Sequence, residues 1–195
     1  FCKMQIIKVN TSTSYEVHIG QGFLQGAGEK ISALFPRSRA MIVSDDIVFP
    51  LYGERLTASL NAAGIDTSAF VFENGEERKR LSTIENLLEQ MAAEHFTRSD
   101  IIIALGGGVV GDMAGFAAAV YQRGIRFVQV PTTFLAAVDS SVGGKTAIDL
   151  KAGKNMAGAC YLSASAAYHM GVGLVKVVTV EENRTIIQEK LPEAV

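Results

Sequence analysis

The sequence predicts an α/β domain: a Rossmann-like, largely parallel sheet with helices on both faces, preceded by an antiparallel N-terminal hairpin. Three observations carry this. Short β-rich runs alternate with helical segments of about 10–15 residues, the pattern of βαβ units. Leu81, Ile84, Leu87, Leu88 and Met91 recur at helical spacing. A glycine-rich run, Gly106-Gly107-Gly108, follows an apolar strand and opens a further helix.

In chain order, Met4 to Asn10 and Tyr15 to Ile19 are β-rich and flank Thr11-Ser12-Thr13-Ser14, which predicts the hairpin. Leu24 to Phe35 has helical spacing and stops at Pro36. Ala40 to Val43 is a short strand ending at Ser44-Asp45-Asp46. Leu51 to Ala63 is helical, with Gly64 as its stop. Ala69 to Phe72 is the next strand, broken by Glu73-Asn74-Gly75-Glu76. The Leu81–Met91 helix, a strand over Asp100 to Leu105, a small-residue helix over Val110 to Tyr121 and a strand over Phe127 to Val130 complete the series. In a parallel sheet, ligands bind beyond the carboxyl ends of the strands. The loops after Val43, Phe72, Leu105 and Val130 are therefore expected on one rim.

Composition narrows the function. Apolar residues are 48% and charged residues 19% of 195, enough for a substantial core and against disorder. A net charge of -2, a pI near 6.0 and no basic run leave no footprint for nucleic acid. No stretch approaches a membrane span, and the start lacks a signal-peptide apolar region. The two cysteines, Cys2 and Cys160, suit a reducing compartment, so a cytoplasmic protein is expected. The chain opens Phe1-Cys2-Lys3 before Met4 and ends at Val195 in a helical pattern, which suggests a fragment.

Gly106-x-Gly108-x-x-Gly111 matches the dinucleotide fingerprint, whose glycines let backbone N–H groups approach a pyrophosphate. Two details depart from a standard Rossmann site. The motif follows a late strand, and no acid lies about 20 residues on to hold a ribose. Taken alone, the motif fits a tight turn with close helix–strand packing equally well. Gly143-Gly144-Lys145-Thr146 imitates a P-loop end, but Asp139 stands where its first glycine belongs. What remains is a polar cluster: Asp139, Ser140, Ser141, Lys145, Lys154 and Asn155, with Arg123 upstream. Such a set suits a small carboxylate- or phosphate-bearing substrate, with a solvated loop as the alternative. His18, His95 and His169 are dispersed, so no metal site is expected from this chain alone.

Five motifs, in order, resemble the 3-dehydroquinate synthase family. They are Gly106-Gly107-Gly108-Val109-Val110-Gly111-Asp112, Tyr121-Gln122-Arg123-Gly124, Val130-Pro131-Thr132-Thr133, Asp139-Ser140-Ser141-Val142-Gly143-Gly144-Lys145 and Gly153-Lys154-Asn155. The resemblance runs from about Met4 to Tyr161, the NAD-binding half of that family. It implies a phosphate-eliminating cyclase of the shikimate pathway that turns a seven-carbon keto-acid phosphate into 3-dehydroquinate. It also implies NAD, a divalent metal (zinc or cobalt), a small anionic sugar-phosphate substrate and a homodimer. Neither a nucleic-acid nor a membrane partner is expected.

By the same resemblance, Asp45, Asn74, Gly75, Glu76, Glu77, Arg78 and Lys79 contact the adenosine end, Glu76 standing in for the Rossmann acid. Gly106, Gly107, Gly108, Val109, Val110, Gly111 and Asp112 hold the pyrophosphate side, and Thr132 and Thr133 line the cofactor. Asp139 and Lys145 bind substrate hydroxyls and carboxylate. Lys154 and Asn155 lie between nicotinamide and substrate phosphate, so that both lysines also border the cofactor. Arg123 reaches toward a neighbouring subunit's site.

The sequence departs from the family at two places. Asp45-Asp46-Ile47-Val48 carries Ile47 where the family has Asn, which affects one cofactor contact. Residues 162–195, through Leu162-Ser163-Ala164-Ser165-Ala166-Ala167-Tyr168 and Gly171-Val172-Gly173-Leu174-Val175, are similar instead to the ribokinase-like NAD(P)H-hydrate dehydratase family. The expected organisation is thus a cofactor domain at 1–161 and a foreign or diverged tail at 162–195, with the family's helical metal-binding domain missing. The alternatives are a non-catalytic dinucleotide-binding fragment and a part of a hydrate dehydratase.

Overall fold

The computed structural model describes residues 4–10, 14–142, 144 and 146–149. The chain divides into two units, 1–148 and 149–195, and the architecture below is that of the first. The boundary expected at 161 falls outside the described residues.

The hairpin forms as expected: β1 (Gln5–Val9) pairs antiparallel with β2 (Tyr15–Ile19), Ile7 opposite Val17. A 3₁₀ turn at Phe23–Gly26 leads into α1 (Ala27–Leu34). The alternating series follows: β3 (Ala40–Asp45), α2 (Glu54–Ala62), β4 (Thr67–Phe72), α3 (Leu81–Ala93), β5 (Ile101–Gly106), α4 (Gly108–Val120) and β6 (Arg126–Pro131). The last four-strand sheet is parallel throughout, in the order β4-β3-β5-β6.

Strand alternation assigns the two faces. Met41 and Val43 of β3, with Ile102 and Ala104 of β5, pack under α3 and α4. Ala40, Ile42, Ile101, Ile103 and Leu105 pack under α1 and α2 on the other side. The α3 spacing buries Ile84, Leu87 and Met91 completely. On the opposite face α1 lies so close to α2 that a Cβ at Gly28 would collide with the Ser59 carbonyl.

Element boundaries differ from expectation where local geometry outweighs periodicity. A π-helical turn occupies Phe49–Gly53, so α2 starts at Glu54 and Leu51 is 59% exposed. β3 continues through Ser44 and Asp45 because the Ser44 hydroxyl donates to the Leu105 carbonyl at 2.7 Å, carrying a polar residue into the sheet. α4 begins at Gly108 and not Val110, directly at the glycine run. Among the described residues no helix is long and apolar enough to cross a membrane.

Candidate functional site at the carboxyl rim

All four sheet strands run the same way, so the loops after β3, β4, β5 and β6 share one rim, as expected. The chain leaves β3 over the α2 face toward β4, and leaves β5 over the opposite face toward β6. The connections diverge between β3 and β5, which opens a crevice there. Asp45 ends one wall of that crevice and Gly106 the other. Asp45 therefore holds the position of a Rossmann acid, on the strand beside the glycine-bearing one. Glu76 stands one strand further out, in a 3₁₀ turn at Glu76–Arg78.

Asp45 is only 4% exposed, and its burial is satisfied locally. Oδ1 accepts from the Ile47 and Val48 amides at 3.0 and 2.7 Å, and Oδ2 accepts from Asn74 Nδ2 at 3.3 Å. The Asn74 amide in turn donates to Asp46 Oδ1 at 2.8 Å. Ile47 thus serves this corner through its backbone, whichever side chain it carries. Gly75 has φ 135°, a backbone conformation that favours glycine. Arg78 pairs with Glu73 on the surface. Lys79 Nζ lies 2.5 Å from Asp112 Oδ2 and 4.0 Å from Glu76 Oε1.

The glycines divide into two kinds. A Cβ at Gly106 would stand 2.5 Å from Val110 Cγ2, and one at Gly111 would stand 2.9 Å from Gln129 Oε1. Those two serve close helix–strand packing. At Gly107 and Gly108 the nearest atoms are Thr133 Cγ2 at 3.2 Å and Ser140 Oγ at 3.3 Å, both side chains of the rim itself. Among the described residues no side chain caps α4, and its first helical bond runs from the Gly111 amide to the Gly107 carbonyl at 3.0 Å. The Gly108, Val109 and Val110 amides precede that bond and point out of the helix end, where an anion is favoured.

Beside them, the Thr132 amide donates to the Gly106 carbonyl at 3.0 Å, which fixes the end of β6 to the glycine run. Thr132 Oγ1 is buried and has no hydrogen-bond partner among the described residues. Thr133 Oγ1 accepts from the Ala136 amide at 3.2 Å and starts the π-helical turn Ala136–Ser140 that carries Asp139 and Ser140 to this rim. Among the described residues, the uncapped α4 end and the buried Thr132 hydroxyl thus lie at the same rim, where the Thr132 amide is bound to the glycine run. These residues fit the phosphate and polar edge of a dinucleotide.

Arg123 does not join them. It follows α4 and precedes β6, whereas Asp139 follows β6, so the whole strand lies between them, about 20 Å. Gln122 (φ 50°), Arg123 (φ 64°) and Gly124 (φ 108°) form a left-handed turn at the opposite end of the sheet, where Arg123 lines an open depression with Arg98. The expected polar cluster therefore loses Arg123. Lys145, Lys154 and Asn155 lie outside the described residues, as do Cys2, Cys160 and His169. Among the described residues no three His, Cys, Asp or Glu side chains converge to hold a metal ion, so no donor set for zinc or cobalt is seen there. Asp46 belongs to the rim although the sequence did not single it out; its adjacency to Asp45 was the signal.

A family model described as 3-dehydroquinate synthase N-terminal matches residues 69–172, more than half of the chain. The chain belongs to the 3-dehydroquinate synthase family. A synthase from Laribacter hongkongensis is 54% identical over 74% of this chain and 40% of its own length. One from Clostridium acetobutylicum is 43% identical over 76% of this chain and 42% of its own length. The chain thus spans about two fifths of these relatives. The solved 2-deoxy-scyllo-inosose synthase with carbaglucose-6-phosphate, NAD+ and Co2+ superposes with TM-score 0.70 at 32% identity, covering 78% of this chain and 41% of that one. The 2-epi-5-epi-valiolone synthase of Streptomyces hygroscopicus, with NAD+ and Zn2+, gives TM-score 0.64 at 29% identity, over 74% of this chain and 40% of that one. A second family model, NAD(P)H-hydrate dehydratase, matches residues 150–195, in line with the resemblance of the tail.

Proposed function

We propose that this chain supplies the NAD-binding half of a 3-dehydroquinate synthase. The reaction is elimination of phosphate and ring closure of 3-deoxy-D-arabino-heptulosonate 7-phosphate to 3-dehydroquinate, in a cytoplasmic homodimer without nucleic-acid or membrane partners. The observation that supports the reading is the α4 end, uncapped among the described residues, beside Thr132, whose buried Oγ1 has no partner among them.

Asp45, Asn74, Gly75, Glu76, Glu77 and Arg78 form the adenosine side, and Gly106 to Val110 offer amides to the pyrophosphate. Thr132 donates its hydroxyl toward the cofactor, and Thr133 shapes the wall next to Gly107. NAD, when bound, takes a hydride from a substrate hydroxyl and returns it. Asp139, at the end of the turn after Thr133, is the described residue placed to meet substrate hydroxyls; Lys145, Lys154 and Asn155 complete that side in this reading, with Arg123 serving a neighbouring subunit. The join to the tail is proposed between residues 154 and 159.

Titration of the purified 195-residue chain with NAD and with ATP tests the assignment. The expected result is saturable NAD binding, no competition by ATP, and no phosphate release from the seven-carbon substrate. Tight ATP binding without NAD binding would favour the hydrate dehydratase alternative, and turnover equal to that of a full-length relative would show that the tail supplies what the second domain supplies in the synthases.

A further inference from the structure

α4 carries one more glycine, Gly115, two helical turns beyond Gly108. A Cβ there would collide with Thr146 Cγ2 and stand 3.2 and 3.3 Å from two ring carbons of Phe127. Phe127 belongs to β6, and Thr146 to the loop that follows the π-helical turn. The missing side chain at Gly115 is therefore a seat, walled by the sheet and filled by a loop methyl. Thr146 is itself an exposed residue, so the contact is a particular one and not the product of general burial.

The seat matters for what the loop carries. Asp139 lies in the turn before it, and Lys145 is the chain neighbour of Thr146. Ser140 meets the same helix at Gly108, where its Oγ is 3.3 Å from the position of a Cβ. Gly108 and Gly115 are seven residues apart, so they share one helix face and lie about 10 Å from each other. Ile148, two residues after Thr146, packs on the core cluster that holds Val110, Met113 and Ala114. Ser140 and Thr146 thus meet one face of α4, and the chain is then anchored in the core. A methyl added at Gly115 has no room toward Phe127, and branching at Cβ limits how Thr146 can turn aside. The loop backbone has to give way, and a misplacement of about 1 Å is enough to cost a well-oriented site.

We propose that Gly115 is a positioning residue for the substrate side of the crevice: it seats the Thr146 methyl and thereby sets the loop that carries Asp139 and Lys145. This rests on the substrate reading of that loop given above. A glycine needed only for packing would, when substituted, lower stability and weaken NAD and substrate together.

Calorimetry on the 195-residue chain measures NAD affinity, then affinity for the seven-carbon substrate at saturating NAD, in G115A, T146S and G115A/T146S. Hydrogen exchange of the 139–149 amides is read on the same proteins without ligand. Expected for G115A are a loss of about tenfold in substrate affinity, a change of no more than about twofold for NAD, and faster exchange in 139–149. T146S empties the seat and should cost about threefold in substrate affinity, with NAD again unchanged. The double variant supplies the methyl from the helix in place of the loop, and should return to within about twofold of wild type. Equal weakening of NAD and substrate in G115A, unchanged substrate affinity, or a double variant no better than G115A would overturn the proposal. If G115A does not fold, T146S decides, because it leaves α4 untouched: unchanged exchange there would overturn the seat. A wild type that binds NAD but not the substrate would overturn the substrate reading and the proposal with it. One that binds neither would overturn the NAD reading, and the exchange cycle alone would then uphold or overturn the seat.

Discussion

The two ends of the four-stranded sheet use similar residues to opposite effect. At the amino end, charges and hydroxyls are consumed by the fold. Asp100, 5% exposed, accepts from the Arg39 amide at 2.9 Å, the Thr97 amide at 2.6 Å and the Thr97 hydroxyl at 2.9 Å. The Arg39 guanidinium donates to the Glu94 carbonyl at 2.8 Å and stacks 4.5 Å from the Phe96 ring. Arg126 donates to the Ser99 carbonyl at 3.2 Å and lies over Phe35. Tyr121 donates to the Phe96 carbonyl at 2.9 Å, and burial above all pushes its hydroxyl above the usual tyrosine range. Hydrogen bonds from Ser68 first, then Gln90, together with the Arg39 charge, hold Glu94 below the usual carboxylate range against the opposing effect of burial.

At the carboxyl end, the side chains pair with one another and, among the described residues, leave the first amides of α4 and the buried Thr132 hydroxyl without partners. Asp45 and Asp46 bond within the rim, Lys79 and Asp112 cancel, and yet the α4 end and Thr132 Oγ1 keep unused hydrogen-bonding capacity. A buried polar group without a partner costs stability. The difference teaches where to look: the closed end stabilises the domain, and the other end holds the unused hydrogen-bonding groups to which the proposed cofactor site is assigned.

The comparison breaks most visibly at Asp100. Asp100→Ala removes one acceptor from three donors, two of them backbone amides. The expected loss is about 3 kcal/mol of unfolding free energy, read from urea titrations. NAD affinity of the remaining folded protein should be unchanged. A variant that kept its stability and lost NAD would place the functional end at the wrong side of the sheet.

Two glycines two residues apart sharpen the same contrast. Gly106→Ala puts a methyl 2.5 Å from Val110 Cγ2 inside the packed turn, with an expected cost of about 1–3 kcal/mol. Gly108→Ala meets only Ser140 Oγ at 3.3 Å and gains helix propensity, so stability should hold or rise by up to about 1 kcal/mol. Its methyl stands where the pyrophosphate would approach, and NAD affinity should fall about tenfold. Parallel melting curves and NAD titrations of the two variants check this, and identical behaviour would mean that both glycines serve packing alone.

Much of this was legible because it is local. The α3 spacing marked Ile84, Leu87 and Met91 as its buried face, although Leu81 at the helix start is exposed, and the order of strands and helices predicted a parallel sheet with one rim. Helix starts were less legible: Leu51 continues the apolar period of α2, but the π-helical turn rotates it outward. The site was legible as a set of motifs and illegible as a set of partners. Asn74 and Asp45 are 29 residues apart, and Lys79 and Asp112 are 33 apart. No pattern along the chain pairs them; only the strand order β4-β3-β5 does. Arg123 shows the converse, near Asp139 in sequence and separated from it by the full height of β6.

The smallest effect tests the open end most directly. Thr132 Oγ1 is buried and has no partner among the described residues, while the Thr132 amide is already bound to the Gly106 carbonyl. Thr132→Val keeps the branched shape and removes only the hydroxyl. In the free chain this deletes an unsatisfied polar atom, so stability should rise by about 1 kcal/mol. With NAD present the same change removes a hydrogen bond worth about 0.5–1.5 kcal/mol, so affinity should fall a few fold. The two effects have opposite signs, which general damage to the fold cannot produce. Thermal melting of the variant with and without saturating NAD measures both at once: the midpoint should be higher than wild type without the ligand, and the ligand-induced increase smaller. A lower midpoint without NAD would mean that the hydroxyl is already satisfied within the domain, and the rim would then be as closed as the other end.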